Sequence, residues 1–315
     1  MKWMHRWWLM PVLVWMLVQC KGSSSALDAA TPYDAVAVDL TDDGGDPGVL
    51  VLAATQVSDP TTIVVDTTSV YWTSPTAVMK LGKNGGQPVV LASAAPPALA
   101  VDRTSVYYVW SYNITRMPLD GGLAVPLASV GLTEAIALGA TGVYWADNRG
   151  PIMGVPYAGG AATRLSFGNC YPARLAIDAT FAYWIDCGVS RVPLEGGQTA
   201  VLSATPLASV GVRVAVDSSG IYFTLPGSSG GVFAMALDGG SPRMLAEGQQ
   251  VSGLALDDVN VYWTDTGMGT VAYVPKSGGP SVVLAAAQNG PRAIALDAPY
   301  VFIATADAIL RIRTP

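Results

Sequence analysis

The sequence predicts an all-β chain folded as a seven-bladed β-propeller of four-stranded antiparallel blades. Three observations carry the prediction. A unit of 36 to 40 residues recurs seven times, each unit reads as four short strands, and the two chain ends hold complementary pieces of one unit. Such regular self-similarity is the signature of a repeat architecture, and radial repetition of four-stranded sheets makes a propeller.

The first half of each unit runs apolar–Ala–apolar–Asp, then a few small or polar residues, then an aromatic pair. The clearest copies are Val64-Val65-Asp66 with Val70-Tyr71-Trp72, Ala176-Ile177-Asp178 with Ala182-Tyr183-Trp184, and Ala255-Leu256-Asp257 with Val261-Tyr262-Trp263. Softer copies sit at Asp102, Gly139, Asp217 and Asp297. Strand 1 is expected to end at this anchor and strand 2 to carry the aromatic pair. The anchor aspartates are expected to close the strand 1–2 turn on nearby backbone N–H groups, and the aromatics to pack between blades.

The second half is an apolar strand running into a glycine pair, as in Met117-Pro118-Leu119-Asp120-Gly121-Gly122, followed by a Val/Leu strand. Asp-Gly and Gly-Gly between such runs predict hairpins with type I′ turns. The seventh unit stops after a third strand at Ala308 to Arg313, and Val49 to Ala54 supplies a spare fourth strand. Pairing the two closes the ring and removes both sheet edges.

Tyr262-Trp263-Thr264-Asp265 spells the YWTD motif, with close variants at Tyr71-Trp72-Thr73-Ser74, Tyr144-Trp145-Ala146-Asp147 and Tyr183-Trp184-Ile185-Asp186. Residues 46–315 therefore resemble the class B propellers of low-density-lipoprotein receptors, and more broadly the secreted bacterial propellers that include sugar-lactone and streptogramin lyases. The resemblance implies architecture and does not fix function.

Ahead of the propeller, Lys2, His5 and Arg6 precede an uncharged apolar stretch from Trp7 to Val18. This is too short for an ordinary membrane span and suits a signal peptide over residues 1–20. It ends in Leu17-Val18-Gln19-Cys20, which resembles a bacterial lipobox, although Gln19 departs from the small residue usual there. The resemblance implies lipidation at Cys20; a plain secretory signal is the alternative. Residues 21–45 read as a tether. The expected location is the bacterial cell envelope, lipid-anchored or periplasmic, or the exterior, with the membrane met only through the lipid at Cys20. The chain is expected to be a monomer.

Loss of Lys2 and Arg6 from 17 basic residues leaves 15 against 23 acidic ones, a net charge of −8. With no basic run, a nucleic-acid partner is excluded. The one histidine is His5. The exported part therefore has no imidazole for acid–base, triad or metal chemistry, and no catalytic residue is assigned. No metal or cofactor is expected. The Asp42, Asp43 and Asp46 trio reads as a solvated loop, with Ca²⁺ the alternative.

Cys170 and Cys187 are expected to face each other across the hairpin that turns at Asp178–Thr180, forming a structural disulfide. At the mouth of the channel, Glu134, Arg174, Arg213 and Arg292 precede the anchors, and Trp110, Asp147, Asp186 and Asp265 follow them by eight residues. Arg174 is expected to pair with Asp186. Arg213, Arg292, Arg174, Glu134 and Trp110 are expected to make up a ligand-binding channel mouth, in which Arg213, Arg292 and Trp110 receive an anionic or aromatic ligand group. The function expected is a non-catalytic envelope module binding a protein, peptide or glycan. The alternative is a metal-dependent lactonase- or lyase-like enzyme with carboxylates at the channel.

Overall fold

The computed structural model describes residues 48–315 apart from 55–56, 148–149, 168–173, 187, 205–211 and 228–229. Cys20, Cys170, Cys187, the Asp42–Asp43–Asp46 trio and the Glu134 side chain lie outside what is described.

The chain forms seven four-stranded antiparallel sheets. A first strand, β1 (Val49–Ala53), precedes blade 1, made of β2 (Ile63–Val65), β3 (Ser69–Thr73), β4 (Val78–Gly82) and β5 (Val89–Ala92). Blade 2 holds β6 (Leu99–Val101), β7 (Ser105–Trp110), β8 (Asn113–Pro118) and β9 (Val125–Ser129). Blade 3 holds β10 (Thr133–Leu138), β11 (Gly142–Asp147), β12 (Ile152–Pro156) and a short β13 (Thr163–Arg164). Blade 4 is β14 (Arg174–Ile177), β15 (Phe181–Ile185), β16 (Val189–Pro193) and β17 (Ala200–Ser203). Blade 5 is β18 (Val214–Asp217), β19 (Gly220–Leu225), β20 (Gly231–Met235) and β21 (Arg243–Glu247). Blade 6 is β22 (Val251–Leu256), β23 (Asn260–Asp265), β24 (Thr270–Pro275) and β25 (Val282–Ala285).

Blade 7 has β26 (Ala293–Asp297), β27 (Tyr300–Ala304) and β28 (Ile309–Arg313), and β1 completes it in the order β1-β28-β27-β26. Val49 lies opposite Ile312 and Val51 opposite Leu310. The expected closure by the N-terminal strand is therefore present. The innermost strands β2, β6, β10, β14, β18, β22 and β26 neighbour one another around the ring, with β26 beside β2.

The aromatic pair explains how blades join. Successive residues of a strand face opposite sides of its sheet, so one member faces the next blade and the other the preceding blade. Tyr107 shares a buried cluster with Trp145 of blade 3, Tyr144 with Trp184 of blade 4, and Tyr222 with Trp263 of blade 6. Phe302 meets Trp72 across the closure. Each of the seven clusters fills the gap between two neighbouring blades. Basic side chains staple the same interfaces: Lys80 donates to Leu119 O at 2.7 Å, Arg116 to Tyr157 O at 2.9 Å, and Arg191 to Leu237 O at 2.8 Å. Arg311 reaches Lys83 O at 2.8 Å across the closure.

The anchor aspartates do more than close a turn. Asp66 accepts from the N–H groups of Thr68 and Ser69 at 2.6 and 2.7 Å, and from the hydroxyl of buried Tyr71 at 2.7 Å. Asp102 with Tyr107, Asp178 with Tyr183, and Asp257 with Tyr262 repeat the arrangement. Gly139 stands in place of the aspartate in blade 3, and a Cβ there would lie 2.6 Å from the Tyr144 ring.

The strand 3–4 turns differ from the type I′ expectation. Gly121 N–H donates to Pro118 O at 3.0 Å across Leu119 and Asp120, neither of which has positive φ. The glycines follow, with φ of 87° at Gly121 and 119° at Gly122. An ordinary turn splays the strands, and left-handed residues after it bring the chain back into register, a job glycine does without Cβ strain.

This network predicts how stability depends on pH. Burial pushes the carboxyls of Asp66, Asp102 and Asp257 upward, but hydrogen bonds from the turn N–H groups and the tyrosine outweigh it, and their pKa values fall below the usual carboxylate value. Depressed folded values contribute stability that is fully present above about pH 4 and lost as pH falls through the folded pKa. Tyr183 and Tyr262 are pushed up to about 12, by burial first and then by the aspartate each one bonds. Their contribution is fully present below about pH 10 and lost as pH rises through the folded value. The melting temperature should show a plateau with a fall at each end. Loss of stability between pH 7 and 5 from these groups would contradict the assignment.

Candidate functional site

Strand 1 of each blade starts at the face that also carries the strand 2–3 loops, and its inner edge pairs with no other strand. Together the seven inner strands enclose a cavity of about 390 Å³ at the mouth of the channel. The residue of each inner strand that aligns with the position after the aromatic pair falls at one level. Thr62, Ala98, Ala135, Arg174, Arg213, Gly253 and Ala293 make this mouth ring, and all line the cavity. One step deeper, Ile63, Leu99, Ile136, Leu175, Val214, Leu254 and Ile294 form an apolar throat. Among the described residues, the lining holds two arginines, from adjacent blades, and no carboxylate.

Register sets both arginines. Arg174 is the first residue of β14 and lies opposite Ile185, one residue before Asp186. Asp186 accepts from the Trp184 indole at 2.9 Å. Arg213 precedes β18; its N–H donates to Thr224 Oγ1 at 2.9 Å, and its carbonyl accepts from Thr224 N–H at 3.0 Å. Two cations at the starts of neighbouring inner strands, above an apolar throat, suit a ligand that has a carboxylate or phosphate beside an apolar group.

The other predicted residues fall elsewhere. Arg292 is absent from the cavity lining and forms an ion pair with Asp59, from the connection between β1 and β2. Trp110 ends β7 on the rim, 45% exposed, and lies opposite Asn113. Buried Asp265 is a loop organiser, accepting from the N–H groups of Gln249, Gln250, Gly267 and Met268 at 2.8 to 3.2 Å. Of the expected mouth residues, Arg174 and Arg213 come together in the cavity lining, and Arg292 and Trp110 stand outside it. The small residues that open the mouth are the ones most repeats carry four to five positions before the anchor, and they share one offset from the aromatic pair. Among the described residues, no group of three or more His, Cys, Asp or Glu side chains is placed to hold a metal ion. No helix among them is long and apolar enough to cross a membrane.

Sequence comparison matches the chain to no family profile and to no curated protein. Solved structures share its architecture. The virginiamycin B lyase of Staphylococcus aureus is 13% identical with a TM-score of 0.69, covering 85% of this chain and 98% of that one. YCF48 bound to the D1 peptide is 13% identical with a TM-score of 0.65, covering 85% and 96%. A chain of the nidogen–laminin complex is 21% identical with a TM-score of 0.52, covering 64% and 84%. At these identities the likeness is one of fold.

Proposed function

We propose that this chain is an exported, ligand-binding propeller of the bacterial cell envelope. Residues 1–20 act as its signal, lipidation at Cys20 anchors it, residues 21–45 are the tether, and a disulfide joins Cys170 to Cys187. The channel mouth binds an extended segment of a peptide or protein partner through an anionic group. The adjacency of Arg174 and Arg213 in a mouth ring otherwise made of small residues and one threonine carries this reading. The apolar throat below supports it, since an apolar side chain entering beside the anion would be removed from water. The existence of a peptide-bound propeller of the same architecture is consistent with it.

The likeness to virginiamycin B lyase favours a second reading, a lyase-like enzyme. That reading needs acid–base groups other than imidazole, because the only histidine is His5.

The test is an array of immobilised hexapeptides, each presented with a free C-terminal carboxylate and as the amide, probed with residues 21–315. The native protein should select free carboxylates or acidic residues, with binding that weakens as salt rises. Arg174→Ala/Arg213→Ala should weaken the selected peptides at least about tenfold. Equal binding by the double variant would refute the site.

A further inference from the structure

Blade 2 breaks the repeat at one place on the rim. Eight residues after the anchor, blades 1, 6 and 7 carry a polar residue that caps the strand 2–3 loop. Ser74 Oγ accepts from Ala77 N–H at 3.0 Å, Thr305 Oγ1 accepts from Ala308 N–H at 2.9 Å, and Asp265 accepts from Gly267 N–H at 2.9 Å. Blade 2 has Trp110 there, and its loop shrinks to Ser111-Tyr112 between paired Trp110 and Asn113.

Both loop residues are left-handed, with φ of 51° at Ser111 and 61° at Tyr112, although neither is Gly, Asn or Asp. This is the type I′ geometry with residues that resist it, and such strain persists only where the surroundings enforce it. They do so here. Asn113 Nδ2 donates to Ser111 O at 2.9 Å, Ser129 Oγ to Asn113 Oδ1 at 3.2 Å, and Val130 N–H to Tyr112 O at 2.8 Å. The rigid turn presents Trp110 at 45% exposure and Tyr112 at 66%. Trp72, Trp145, Trp184 and Trp263 all serve the core, so Trp110 is the exposed tryptophan among the described residues. Val109 N–H donates to Ala98 O at 3.3 Å, so Trp110 stands one residue beyond a member of the mouth ring.

We infer that Trp110 and Tyr112 form an aromatic lip of the channel site, which stacks on a proline or aromatic residue of an extended peptide whose carboxylate lies across the mouth at Arg174 and Arg213. This rests on the peptide-binding reading above and adds the second contact. Blade 5 lies three places round the ring from blade 2, so a ligand touching both must cross the mouth in extended form. Charge sets one end: the lip has no cation in its turn, and the mouth ring has two. A peptide is favoured over a sugar chain because, among the described residues, the throat has no polar side chain to satisfy hydroxyls, whereas aromatic-lined grooves receive proline-rich segments.

The same hexapeptide array tests the lip with Trp110→Ala and with Ser111→Asn/Tyr112→Gly. The second variant keeps the turn in the sequence that favours it, so its melting temperature should not fall. The selected peptides should be enriched in proline or aromatic residues. Both variants should bind them at least about tenfold more weakly, with Trp110→Phe close to native. Native-like affinity in both variants, alongside loss in Arg174→Ala/Arg213→Ala, would overturn the lip and leave the charged site standing. No peptide preferred by the native protein over the double arginine variant would overturn both. Selection of acidic oligosaccharides on a glycan array, with no peptide selected, would overturn the peptide as occupant.

Discussion

Deletion of Val49–Ala53 should open the ring and remove cooperative folding. Leu52 and Ala53 are each 7% exposed and belong to the cluster holding Trp72, Phe302 and Ile309. Without them β28 loses its outer partner, and the blade 7–blade 1 interface loses part of its core. Deleting one buried leucine costs about 2–5 kcal/mol. The ladder bonds and the other strand residues add to this, so the total reaches the size of a typical domain's stability. A thermal or denaturant melt should lose its sharp transition. The bared edge should also make the protein self-associate, since an unpaired edge is a template for another strand. A synthetic peptide of residues 46–54 should restore the transition in a concentration-dependent way. Deletion of residues 1–45 should leave the melt unchanged. An unaltered transition without β1 would show that the ring does not depend on its closing strand.

The second large effect is expected at Asp257. Its carboxylate accepts from Val259 N–H at 2.7 Å, Asn260 N–H at 2.6 Å and the hydroxyl of fully buried Tyr262 at 2.6 Å. Asp257→Ala leaves that hydroxyl without an acceptor, a penalty of about 1–3 kcal/mol, and frees two turn donors as well. A loss of about 3 kcal/mol should lower the melting temperature by roughly 5 to 10 °C. In a double-mutant cycle, Tyr262→Phe should recover part of the loss, because the orphaned hydroxyl is then gone. The same repeat position in blade 7 provides the contrast. Asp297 pairs with Lys83 from blade 1 and is 48% exposed, so Asp297→Ala should cost no more than about 1 kcal/mol. Equal losses at the two positions would show that the tyrosine bond contributes little.

Much of the fold was legible because the repeat displays one physical problem seven times. Each blade must fill two interfaces, so an aromatic pair with period two recurs, and each strand 1–2 turn needs an acceptor, so an aspartate recurs. The closing strand was readable as the piece that Ala308–Arg313 lacked. The turn type was not, because Gly121 and Gly122 look like the centre of a hairpin and the structure uses them as its exit. The role of the aspartates was half visible: the turn bonds follow from spacing, but the Tyr71–Asp66 contact depends on the two strands coming together. At the candidate site, Arg174 and Arg213 stood out as charges in a low-charge repeat. Their convergence with Ala98, Gly253 and Ala293 needs the register of all seven inner strands, which no single unit reveals. Tyr112 was overlooked because an exposed loop tyrosine is unremarked in a sequence; only its left-handed backbone and braced turn distinguish it.

The claim that the channel mouth is the binding face is tested most directly by photo-crosslinking in the native envelope. A benzophenone amino acid would replace Thr61, which lines the mouth cavity, or Asp120, which lies in the strand 3–4 turn on the opposite face. A discrete adduct is expected from position 61, lost in Arg174→Ala/Arg213→Ala, mapping by mass spectrometry to a segment with a carboxylate near a proline or aromatic residue. Position 120 should give none. An adduct from position 120 alone, or one from position 61 that survives loss of both arginines, would contradict that claim.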